Sequence, residues 1–222
     1  MFRMSIALIT LLALTSYTQA HFIWLVPGDK PNMVKLVFGD KLGPDLDNPD
    51  LIDKVKQTGL YIHDPGSKHI DLAMQREPGA FAAALPEKAQ VIRGKCVYGI
   101  FQRGENPPSL LNYYCIYKKG DLKESGCFSC QAFQAREEKP GVFLVEYDSE
   151  PAVDSEVVLA GPEGFKELKG KTNKQGYVTF DLKDAPKGLY GLRARHVVKE
   201  PGEYQGKKYE NITNYVTLVF QK

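Results

Sequence analysis

The chain has 222 residues, 43% of them hydrophobic, with 29 lysines and arginines against 27 aspartates and glutamates. The lysine pairs Lys118-Lys119 and Lys207-Lys208 stand apart rather than forming a basic stripe, which argues against nucleic acid as a partner. The length suffices for one large domain or two small ones with real cores.

Residues 1–20 read as an export signal. Arg3 gives a positive start, Ile6 to Leu14 an apolar stretch, and Thr18-Gln19-Ala20 the small residues that a signal peptidase inspects. The apolar stretch falls short of the about 20 residues that a membrane span needs. Cleavage is expected between Ala20 and His21, and the residue directly after the cut is that histidine rather than the cysteine a lipid anchor requires. The mature chain would then be periplasmic or secreted, with no membrane span.

Strand patterns dominate from Met33 onward. Val34, Leu36 and Phe38 alternate with Lys35, Val37 and Gly39, the period of a half-buried strand. A single helix is expected after Asn48, with Pro49 at its first position, Lys54 and Lys56 near its negative end and Gly59 to stop it. Leu60 to His63 and His69 to Met74 flank Asp64-Pro65-Gly66 and read as a hairpin. Further strands are expected at Val91–Arg93, Cys96–Gln102 and Leu110–Tyr117.

Residues 118–140 are polar and read as a loop crossing between two units. Beyond it, strands are expected at Val142–Tyr147, Glu156–Leu159, Phe165–Leu168, Tyr177–Leu182, Leu189–Val198 and Tyr215–Phe220. Turn chemistry separates them, as at Gly161-Pro162-Glu163-Gly164. The expected fold is therefore all-β: two β-sandwich units of immunoglobulin or transthyretin type, with one short helix in the first. Their bounds are residues 21–140 and 141–222.

Four cysteines, Cys96, Cys115, Cys127 and Cys130, suggest two disulfides in an exported protein. Cys96 and Cys115 sit on adjacent expected strands and form one plausible pair. Cys127-Phe128-Ser129-Cys130 also has the spacing used for metal and redox chemistry, although no βαβ unit accompanies it.

The segments HFIWLVP (21–27), VKLVFGD (34–40), LLNYY (110–114), GKTNKQGYVTFDL (170–182), GLRARHV (191–197) and YVTLVF (215–220) resemble the bacterial domain-of-unknown-function family 4198. The resemblance spans most of the mature chain but not the cysteine-bearing crossing. It implies an exported protein, associated in some members with nickel uptake, and a C-terminal part similar to carboxypeptidase-regulatory or transthyretin-like sandwiches.

Chemistry concentrates on the terminus that cleavage would create. A free α-amine has a pKa near 8, so a metal displaces its proton at neutral pH. Amine and imidazole Nδ1 of His21 then chelate one ion, and a second imidazole would complete three nitrogen donors. Such a set favours copper, then nickel. His196 is the candidate second ligand, since it shares the parity of Tyr190, Leu192 and Ala194 and a polar ring on that apolar face needs a partner. His63 and His69 read as surface residues of the hairpin. Tyr98, Tyr113, Tyr114 and Tyr117 are candidate axial ligands, more simply read as sandwich tyrosines.

Asp45, Asp47, Asp50 and Asp53 form an acidic cluster that departs from the calcium-loop pattern at Asp50 and Lys56, so capping and solvation explain it better. Asn211-Ile212-Thr213 is a glycosylation acceptor only in a host that glycosylates exported proteins. There is no zinc-protease, nucleophile-elbow or phosphate-loop motif. The expectation is an exported copper- or nickel-binding carrier or accessory factor, serving a membrane transporter or cell-surface component. The alternatives are a glycan- or protein-binding module and a copper-dependent oxidative enzyme.

Overall fold

The computed structural model describes residues 21–63, 68–120 and 131–222. The expected export signal, the hairpin turn at Asp64–Gly66 and the pair Cys127 and Cys130 lie outside them.

The described chain is nearly all β. In order the strands are β1 (Phe22–Pro27), β2 (Met33–Gly39), β3 (Lys56–His63), β4 (His69–Leu72), β5 (Met74–Glu77) and β6 (Ala80–Ala84). Then come β7 (Val91–Phe101), β8 (Ser109–Lys118), β9 (Phe133–Lys139), β10 (Val142–Tyr147), β11 (Glu150–Pro151) and β12 (Glu156–Ala160). The remainder are β13 (Leu168–Lys171), β14 (Tyr177–Thr179), β15 (Leu189–Val198), β16 (Gly202–Tyr204), β17 (Lys207–Tyr209) and β18 (Asn211–Gln221).

One large sheet organises the molecule. Its eight strands run β13-β12-β15-β18-β8-β7-β3-β4, and β18 lies parallel to β8 from Asn211 opposite Ser109 to Val219 opposite Tyr117. The sheet β1-β2-β6-β5 covers one face. The sheet of β9, β10, β11 and β14 covers the other. Strand periodicity sends alternate side chains of the two central strands into different cores. Tyr113 and Cys115 join Trp24, Leu36 and Ile92 in the first core. Tyr114, Ile116, Val216 and Leu218 join Phe133, Phe143 and Leu192 in the second. The two sandwich units thus share a single sheet.

Three sequence expectations need correction. The helix after Asn48 is only a short 3-10 turn, Pro49–Lys54, in which Ile52 alone is buried and Asn48 makes no side-chain cap. Asp45 shapes the turn that precedes it, its Oδ1 accepting the backbone N–H of Asp47 at 3.1 Å and of Asn48 at 3.0 Å. From Lys56 the chain is claimed by β3, because Leu60 and Ile62 bury into the first core while pairing with β4 and β7. Secondly, the polar crossing contains β9, which pairs with β10 and buries Phe133 and Ala135 while its charged second half reaches solvent. Thirdly, Phe165–Leu168 is not a strand; β13 starts at Leu168 and runs to Lys171.

The expected Cys96–Cys115 bond is absent, and both are buried free thiols. Cys96 faces Tyr113 across the β7–β8 ladder and Cys115 faces Gly94, so the cysteines are diagonal neighbours. Diagonal positions lie about 7–8 Å apart, beyond the usual Cα spacing of a disulfide of about 6 Å. Burial pushes both thiols well above the usual range, which leaves them protonated.

Candidate functional site

His21 stands just before β1. The β1–β2 ladder ends with Phe22 opposite Gly39, which places Asp40 across from His21. The His21 Nδ1 lies 3.0 Å from Asp40 Oδ1, and 35% and 26% of the two side chains are exposed, so the pair is open to solvent. The imidazole rests edge-on against Phe38, centroids 5.6 Å apart. Phe38 in turn contacts Tyr98 and Tyr113, and Tyr113 stacks on Tyr215. An apolar aromatic wall therefore backs one side of His21 and fixes where its ring can sit.

The strand that carries His21 is anchored from below. Thr217 donates its hydroxyl to the Ile23 carbonyl at 2.7 Å, Trp24 Nε1 donates to the Gly39 carbonyl, and Arg193 lies over the Phe22 ring at 4.2 Å. Gly191 makes room for this crossing: a Cβ there would sit 2.5 Å from Leu42 and 2.8 Å from Trp24.

His196 is elsewhere. It shares a face of β15 with Tyr190, Leu192 and Ala194, as its parity predicts, and that face belongs to the second core. Its ring packs between Tyr147 and Phe133, with centroids at 5.0 and 6.0 Å, and Nδ1 is 3.3 Å from the Ser155 hydroxyl. Desolvation lowers its pKa below the ordinary histidine value. The sheet of β1, which bears His21, packs on the opposite face of the large sheet. The expected joint site of His21 and His196 is therefore not formed, because eight-stranded sheet backbone separates the two rings.

The other candidates separate similarly. His63 and His69 face each other across the β3–β4 ladder, with ring centroids 5.3 Å apart. Tyr113 and Tyr114 are buried on opposite faces, and burial raises Tyr114 to about 12, so its phenol stays neutral. Asp53 pairs with Arg76 at 2.8 Å, and that hydrogen bond holds its carboxyl below the usual range. Thr213 of the glycosylation triplet is buried in β18.

Among the described residues, no group of three or more histidine, cysteine, aspartate or glutamate side chains is placed to hold a metal ion. Asp40 was not among the sequence candidates. Its signal was the apolar run of residues 22–26 just before the VKLVFGD strand: folding these two as a hairpin puts the aspartate beside the histidine. No helix among the described residues is long and apolar enough to cross a membrane.

No protein-family model and no curated protein matches this chain. Among solved structures it is similar to a two-domain fibronectin type-III segment from chicken tenascin. The identity is 11%, with 88% of this chain and 97% of that chain covered and a TM-score of 0.22.

Proposed function

We propose that the protein is an exported carrier or accessory factor for copper or nickel, whose metal is held by His21 and Asp40. Cleavage after Ala20 supplies the amine, His21 Nδ1 the second donor and Asp40 a carboxylate oxygen as the third. The observation that carries this reading is the 3.0 Å separation of Nδ1 and Oδ1. Two cis donors about 2.0–2.1 Å from one ion, at a right angle, lie about 2.9 Å apart. Open positions facing solvent suit transfer to a transporter or cell-surface component. The resemblance to a family with nickel-uptake members supports the same reading.

A test measures the intact mass of exported protein with and without Cu(II), then titrates variants by calorimetry. One residue added before His21 should weaken binding by orders of magnitude, since the amine leaves the chelate. Asp40→Asn should weaken it about tenfold or more, and His196→Ala should change it little. Unchanged affinity in the extended protein would remove the terminus as a ligand.

A second reading, a glycan- or protein-binding module, rests on Phe101. This ring is 45% exposed and lies 6.5 Å from Tyr98, which itself packs on the Phe38 ring behind His21, so it extends the aromatic wall toward solvent. Phe101→Ala separates the two, leaving metal affinity intact while abolishing glycan binding.

A further inference from the structure

The β3–β4 hairpin brings four side chains together on the face of the large sheet opposite the one that carries His21. His63 and His69 are directly paired across the ladder, and Tyr61 and Asp71 form the next pair. Tyr61 stacks on the His69 ring at 4.6 Å and 27°, while the His63 ring meets the His69 ring at 5.3 Å and 79°. The His69 Nε2 is 2.9 Å from Asp71 Oδ1. This arrangement lies near one edge of the eight-stranded sheet and shares no residue with His21 or Asp40.

The chemistry of the pair follows from these contacts. A carboxylate at Nε2 fixes the tautomer with the proton on that nitrogen, which leaves Nδ1 of His69 with its lone pair. Stacking on the buried Tyr61 ring limits how far the imidazole can turn. His69 is thus an oriented nitrogen donor, with Asp71 in the supporting role that carboxylates take behind metal-bound histidines. Spacing decides whether a second donor is in range. Two imidazoles bound to one ion through nitrogens about 2.0–2.1 Å away, at a tetrahedral angle, have centroids about 5 Å apart. The observed separation of 5.3 Å matches that requirement.

We infer that His63 and His69 form a two-imidazole clip for a divalent transition-metal ion, oriented by Asp71 and Tyr61, with water filling the remaining positions. Zinc, copper and nickel all accept such donors. With only two protein ligands and half of the His69 side chain exposed, the clip exchanges its ion readily. The protein then carries two independent sites on opposite faces.

The test uses Zn(II) as probe on full-length exported protein carrying His21→Ala, which silences the terminal site. Calorimetry together with imidazole nitrogen NMR should show one ion bound, with shifts confined to His63 and His69. His69→Ala and His63→Ala should each reduce affinity at least tenfold. Asp71→Asn should reduce it about 10- to 100-fold while leaving the metal-free melting temperature unchanged. All three side chains reach solvent, and the melting temperature without metal checks that each variant folds. If zinc affinity in the His21→Ala protein is the same with and without His69, or the shifts fall on His196 instead, the clip is overturned. Failure of the terminal site would show separately, in the extended protein with the hairpin intact.

Discussion

At the residue scale, one histidine illustrates how parity and chemistry divide. The alternation along Leu189–Val198 correctly predicts that His196 points inward, because every second side chain of a strand shares a face. What the pattern lacks is which of two cores that face belongs to. Desolvation lowers the His196 pKa, so the unfolded chain takes up a proton near pH 6.5 before the folded protein does. Its contribution to stability is therefore present in full above that pH and is lost as the pH falls from about 6.5 toward the folded value. Replacing it by glutamine should flatten this loss. Urea midpoints measured between pH 7.5 and 5.5 should fall less in His196→Gln than in the parent. Parallel curves would mean that burial of this ring carries no proton linkage.

At the scale of elements, β1 is the piece on which the His21 site depends. It lies at the edge of its own sheet and gains a second set of partners by lying over β8 and β18. Thr217→Val removes a buried hydrogen bond to the Ile23 carbonyl and should cost about 1–3 kcal/mol. Gly191→Ala forces a methyl group into the space of Leu42 and Trp24 and should cost a similar amount. Chemical denaturation of both variants checks this; full stability in each would show that β1 docks by its own pairing alone. The expected strands over Val142–Tyr147 and Leu189–Val198 match the structure residue for residue. β6 escaped because its alanines carry little β-propensity, and it forms only because β2 and β5 flank it. β9 escaped because charges at Arg136, Glu137, Glu138 and Lys139 mask an apolar first half. Strand character was thus legible where alternation was strong, and lost where tertiary pairing supplied it.

At the scale of the whole molecule, the sequence presents two successive sandwiches, whereas the structure joins them through the parallel pairing of β8 with β18. Side chains of both strands serve both cores, so neither core closes without residues from the other half. The two halves should unfold in one transition. Trp24, the sole tryptophan, reports the first core, and far-ultraviolet circular dichroism reports all strands. Their urea curves should coincide, and residues 21–140 expressed alone should show no native tryptophan signal. Separated transitions, or a folded fragment, would contradict a shared sheet.

The position of β18 also dictates an order in time. Residues 211–221 sit in the middle of the large sheet, between β15, which closely precedes them, and β8, almost a hundred residues upstream. Until this segment is available, β8 has only β7 beside it in the ladder and the second core lacks Val216, Leu218 and Phe220. An emerging chain can zip its hairpins early but must hold one edge of the largely apolar β8 open while the intervening residues follow. Closing a contact over that span is slow relative to hairpin formation. The interval before it closes is when this protein is most exposed to wrong partners, and when a chaperone covering β8 would act to greatest effect.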